Sequence, residues 1–237
     1  MDWNAFIGPA VVAAVVSGIV TTIGFVVNRS TSLTLNTQKM AADDKLAERK
    51  FEFDKALAER KYSIDTKTAD RKRRQDLAEE VLAGFYEVEA IMRSVRSPMS
   101  YQHEAEGREK VGLETEATAK LRDTYFVILA RFDKNRTPIA DLLAKRYRMV
   151  AWFGTPSEAP FQQLHDAINQ VLSAARMLVD WSRDADTFRR NNLALWQQLE
   201  ATIWWGTETP DVVADKIAKA VADIDLICRP ILQEVVG

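Results

Sequence analysis

Residues 5–27, AFIGPAVVAAVVSGIVTTIGFVV, contain no charged side chain. As a helix rising about 1.5 Å per residue they would extend roughly 34 Å, enough to cross the hydrocarbon core of a bilayer. Lipid offers backbone amides no partner, and a helix satisfies all of them within the segment. The run therefore reads as a membrane helix. A cleaved signal peptide is the competing reading. Against it, MDWN ahead of the run carries an Asp and no Lys or Arg, and the run is longer than a signal core. Trp3 stands where an interfacial aromatic anchor is useful, and Pro9 is tolerated near a helix start. Arg29, Lys39, Lys45, Arg49 and Lys50 all follow the span. The bias of basic residues predicts an outside N-terminus, with everything after residue 28 in the cytoplasm.

A second constraint follows at once. From Phe25 to Ala83 there is neither Gly nor Pro, so nothing in the sequence forces a helix to break. Four units share one pattern: LNTQKMAADDK from Leu35, LAERKFEFDKA from Leu46, LAERKYSIDTK from Leu57 and TADRKRRQDLA from Thr68. Each is eleven residues long, about 3.67 residues per turn over three turns, so a stripe with that period runs nearly straight along a helix. Leu46, Lys50, Phe53, Leu57, Lys61 and Ile64 form the stripe, with Ala47, Phe51, Ala58, Tyr62 and Ala69 beside it. Lys39, Lys50, Lys61 and Lys72 each have an aspartate four residues on, a helical pairing worth a few tenths of a kcal/mol. The pattern predicts a stalk that self-associates as a coiled coil, with Leu46, Phe53, Leu57 and Ile64 as its seam. In the membrane helix Ala10, Ala14, Gly18 and Thr22 recur every four residues, and Ala13, Ser17 and Thr21 run beside them. Such small-residue rows let two helices approach closely. Asn28 to Asn36, rich in hydroxyl and β-branched residues, reads as a hinge. Arg71 to Arg74 (RKRR) reads as a solvated helix face.

After Asp76 the pattern changes. Leu77, Val81, Phe85, Val88, Met92 and Val95 give the broader apolar face of a helix packed on others, closed by Ser97-Pro98. Residues 97–112 read as a polar loop of low order. Thr137-Pro138, Thr155-Pro156 and Thr209-Pro210 read as a threonine cap followed by proline in the first turn, with TPSE from Thr155 as a capping box. Gly154 and Gly206 fall where helices end. Helices are expected over about 76–97, 113–134, 137–153, 156–183, 187–205 and 210–235, the last kinked at Pro230. The fold class is therefore all-α: an N-terminal segment and anchor over 1–27, a hinge and helical stalk over 28–76, and a cytoplasmic helical bundle over 77–237.

Chemistry is not legible. The two histidines, His103 and His165, lie outside any metal-binding spacing, and His165 reads as a partly buried structural residue. Cys228, the one cysteine, reads as a small core residue and excludes an intrachain disulfide. No phosphate-cradling glycine loop or nucleophile elbow occurs, so no catalytic residue, metal or cofactor is assigned. A net charge of −2 gives no reason to expect nucleic acid as a partner. Five of the six tryptophans lie in the second half, and Trp152, Phe153, Trp204 and Trp205, at helix ends beside loops, are the candidate recognition aromatics.

The strings KLAERKFEFDKALAERK, RYRMVAWFG, EATIWWG and ICRPILQEV resemble segments of uncharacterised bacterial membrane-anchored helical proteins. The resemblance covers most of the chain and implies a single-pass protein of the bacterial inner membrane; it brings no activity with it. The expected function is a membrane-anchored, self-associating scaffold that presents a helical binding domain, with the bilayer, further copies of the chain and an unidentified protein as partners. The alternative is a membrane-perturbing effector, whose anchors assemble into a leak when the bundle senses a signal.

Overall fold

The computed structural model describes residues 8–110, 112 and 114–234, and all regular structure among them is helical. Trp3, Asp2 and the start of the apolar run lie outside the described residues. The chain divides into two compact units, Met1–Thr68 and Ala69–Gly237. Helix α1 (Pro9–Val95) contributes to both.

In the first unit every residue from Ala10 to Thr68 is solvent-exposed. The expected hinge at residues 28–36 continues the helix. Its hydroxyls are spent on the helix itself: Thr31 donates to the Val27 carbonyl at 2.8 Å and Thr34 to that of Ser30 at 2.9 Å. Back-bonding of this kind gives the hydroxyls a partner without ending the helix.

In the second unit the inward stripe of α1 is the one legible in sequence. Leu77, Val81, Phe85, Val88, Met92 and Val95 are all buried to 1% exposure or less. They pack into a bundle of α2 (Glu116–Lys134), α3 (Arg136–Ala144), α4 (Arg146–Phe153), α5 (Ala159–Trp181), α6 (Ala185–Asn191), α7 (Leu193–Ile203) and α8 (Val212–Gln233). Helix α5 is its centre and packs against α2, α7 and α8. Phe161, Leu164, Ile168, Val171, Ala175 and Leu178 step alternately by three and four along it, and all are buried. The Phe161 ring meets Phe85 of α1 edge to face, 5.0 Å between centroids. A Cβ on Gly84 would stand 2.9 Å from Leu142 Cδ1, so the missing side chain lets α3 lie close to α1.

Helix ends differ from the sequence reading. None of the three Thr-Pro threonines caps a helix. Thr137 and Pro138 lie inside α3, and Thr155 to Glu158 form a 3-10 turn without a side-chain cap, so the capping box is absent. Asp211 rather than Thr209 caps α8, accepting from the Ala214 amide at 3.0 Å. The long helix expected over 137–153 is broken at Lys145, and that over 187–205 at Asn192. Helix α8 runs through Pro230 to Gln233. Gly154 (φ 80°) and Gly206 (φ 71°) do adopt the positive φ expected of helix-terminating glycines.

Arginines serve the opposite ends, where free carbonyls need donors. Arg96, one residue past α1, is completely buried. It donates to the carbonyls of Thr202, Ala201 and Trp204 at the end of α7 (3.0, 3.3 and 3.2 Å) and to Asp211 at 2.9 Å. Its own carbonyl accepts from the Trp205 amide at 2.7 Å. One guanidinium thus joins the ends of α1 and α7 to the start of α8. Arg131 of α2 reaches the Ser97 carbonyl at 2.8 Å and both oxygens of Glu104 at 2.9 and 2.8 Å. Arg108 binds Asp123 through Nε and both oxygens of Glu114, which also pairs with Arg122. The segment after Pro98, expected to be of low order, is therefore strapped to α2 by buried ion pairs. Arg71 of the RKRR motif is not a solvated face either: it and Gln75 donate to the Glu234 carbonyl at the end of α8.

Removing the Arg96 guanidinium takes the balancing charge from Asp211 and a donor from the carbonyls of Ala201, Thr202 and Trp204. Arg96→Met should lower the unfolding free energy by about 3–5 kcal/mol, read from urea denaturation followed by tryptophan fluorescence. Arg96→Lys should recover only part of this, because a compact ammonium lacks the planar fork; an unchanged midpoint in Arg96→Met would refute the assignment. A second prediction concerns Glu104, whose carboxyl is held at about 2, chiefly by the Arg131 hydrogen bonds, against an ordinary value of 4.5. A carboxyl more acidic when folded contributes stability above its unfolded pKa, and that contribution is lost as pH falls from about 5 towards 2. Glu104→Gln lacks this titration, so its melting temperature should fall less steeply across the window; parallel curves for the two proteins would count against it.

Candidate interaction surfaces

The surfaces singled out in the sequence fall into two groups. Ala10, Ala14, Gly18 and Thr22 lie on the apolar part of α1, which has an 18-residue window of mean hydropathy 2.4, none of it buried. This is the one helix among the described residues long and apolar enough to cross a membrane. A Cβ built on Gly18 meets nothing within 4 Å, so the small-residue row is open to a neighbour. The polar side chains on this stretch are not open in the same way. Thr21 donates to the Ser17 carbonyl at 2.7 Å and Thr22 to that of Gly18 at 2.6 Å.

Further along α1, Leu46, Phe53, Leu57 and Ile64 are 67, 67, 56 and 54% exposed, and Phe51 and Tyr62 beside them 66 and 75%. Nothing within the unit covers this stripe. The expected lysine–aspartate pairs four residues apart are also absent: between residues 10 and 68 no ion pair forms among the described residues. Between residues 10 and 68 both the apolar and the charged components of the repeat remain unused within the unit.

The four recognition aromatics separate in the second unit. Trp152, at the end of α4, is 41% exposed, while Phe153 beside it packs against the core. Trp204 packs on the core and ends α7. Trp205 is taken up internally, with the Arg93 guanidinium 4.6 Å from its ring centroid and that of Arg96 5.5 Å away. Trp152 is thus the one of the four that presents much of itself to solvent, and Tyr147 on the same short helix, 70% exposed under Arg146, was not anticipated. Its signal was present in the RYR triplet, where alternating arginines flank an aromatic on a helix too short to bury all of its faces.

His165 is exposed on α5 rather than partly buried, and its near neighbours are Asn169 and Asp166. Cys228 is fully buried in the core, and burial raises its thiol to about 11, so it carries little nucleophilic thiolate at neutral pH. The Tyr125 hydroxyl is pushed up by burial and by its hydrogen bond to Glu200, and its ring packs edge-on against Trp196 at 5.9 Å. This pair bridges α2 and α7 as a packing element. No group of three or more His, Cys, Asp or Glu is arranged to hold a metal ion among the described residues.

Comparison with family models, curated proteins and solved structures finds no match to this chain.

Proposed function

We propose that the protein is a scaffold of the bacterial inner membrane, anchored by the apolar part of α1, self-associating through the anchor and the eleven-residue repeat, and presenting the second unit in the cytoplasm as a binding domain. The observation that carries this reading is the uncovered stripe at Leu46, Phe53, Leu57 and Ile64. Burying one such side chain is worth about 1.5–3 kcal/mol, so a helix that exposes a row of them gains by meeting another. The repeat supplies the same surface on every copy. The anchor holds the copies parallel and confined to two dimensions, which raises their effective concentration. The basic residues after the span support a cytoplasmic second unit. A leak formed by rearranged anchors has less support, because Thr21 and Thr22 direct their hydroxyl protons into their own helix.

In a Cys228→Ala background, Leu57→Cys should form covalent dimers in membranes when treated with a short bismaleimide. Glu59→Cys, two residues on and turned to the opposite side of the helix, should do so far less. Adding Phe53→Asp to the Leu57→Cys chain should reduce the dimer band at least severalfold. Equal crosslinking at positions 57 and 59, or none at either, would show that this stripe is not an interface.

A further inference from the structure

The second unit carries a groove of about 660 Å³ alongside α2, bounded by the strap on one side and by α5 on the other. Phe126 and Leu129 of α2 and Leu172 of α5 supply its apolar lining. Lys134, Arg136 and Arg176 also line it, all exposed. Arg136 and Arg176 make no ion pair or hydrogen bond through their side chains among the described residues. Two carboxylates also line the groove. Glu104 is committed to Arg131, which leaves Asp133 against three cations, a local balance of +2 (3 − 1). The chain beyond Asp76 has 19 basic and 24 acidic residues, a net −5, so this groove reverses the sign of its surroundings.

We propose that this groove is a docking site for an acidic, amphipathic helical segment of a partner protein. The geometry fits that occupant. Of the six α2 residues that line the groove, Phe126, Leu129, Ala130 and Asp133 recur at intervals of three and four along the helix, with Phe132 and Lys134 beside them near its end. A second amphipathic helix seats its apolar face along such a channel. The unpaired guanidiniums along the groove can meet carboxylates, and Arg136 and Arg176 retain the donors for bidentate contact. This proposal rests on the reading of the second unit as the presented binding domain, and gives its partner a chemistry.

The test uses the full chain in nanodiscs and three fluorescein-labelled helical peptides. One has a leucine face and a glutamate face, the second has lysine in place of glutamate, and the third has serine in place of leucine. Anisotropy should report binding of the first, with at least tenfold weaker binding of the other two. Arg136→Glu/Arg176→Glu, two surface changes that leave the core untouched, should weaken the first peptide at least tenfold while circular dichroism and melting stay unchanged. Equal binding of the serine peptide would reduce the groove to a bare anion site and overturn the proposal. So would equal binding of the lysine peptide, an unaffected double variant, or no binding of the acidic peptide at millimolar concentration. Bismaleimide crosslinking through Leu57→Cys, run on the same samples, reads self-association separately, so loss of one leaves the other standing.

Discussion

A guanidinium taken fully out of water must find acceptors for the N–H groups it brings with it, and in this protein that demand organises the second unit. Arg96 meets it with three carbonyls from the end of α7 and one oxygen of Asp211, with Nη1 alone lacking a hydrogen-bond partner among the described residues. The last carbonyls of a helix have no partner within it and carry the negative end of its dipole, so a cation there satisfies both conditions. Asp211 faces the reverse situation at the start of α8, where free amides favour a carboxylate. Its pKa is lowered despite burial, held by the amides of Ala214 and Gly206 and by Arg96 itself. Three helix termini therefore share one ion pair. Loss of either partner leaves the other enclosed and uncompensated, which costs more than the intact pair contributes.

The same solution recurs at other joints. Arg131 collects the carbonyls that follow α1 and fastens the strap through Glu104. Arg71 closes the end of α8. Arg122 and Arg108 divide one carboxylate, Glu114, and burial and the Arg108 charge lower the Arg122 pKa. Charge is placed at the ends of helices and apolar packing along their sides. The strap lies beside the groove on α2 because two arginine clusters hold it there.

This division explains which parts of the fold could be read in advance. Inward stripes are periodic, so the α1 row from Leu77 to Val95 and the long apolar face of α5 were visible as spacing. The ends were not, because a cap can come from any residue that reaches the terminus. Thr137, Thr155 and Thr209 each satisfy a local rule for capping, and none of them caps a helix. Asp211 lies only two residues beyond Thr209, yet what selects it is Arg96, 115 positions away in sequence. Long-range pairings of this kind leave no local period. The groove was invisible for the same reason: Leu129 and Leu172 are forty-three residues apart and line one groove only because α2 and α5 pack side by side. The exposed row from Leu46 to Ile64, by contrast, is purely local, and its residues lie where their spacing put them.

The two apolar patterns on α1 also differ in kind, and the difference bears on what can cover them. The stripe from Leu77 to Val95 is unbroken, as a dry core requires. The stripe from Leu46 to Ile64 is interrupted by Lys50 and Lys61, so no partner can enclose it without either burying an ammonium or leaving that layer wet. A lysine resolves this by laying its methylene stem over neighbouring apolar groups while its head stays hydrated. Such an interface is weaker per turn than a continuous apolar seam, and its repetition along the helix compensates only when partners are already aligned. Alignment is what a shared bilayer provides, since it removes one dimension of search and fixes the polarity of every copy. A repeat of this polarity fits the proposed scaffold, in which copies tethered to one bilayer would already be aligned.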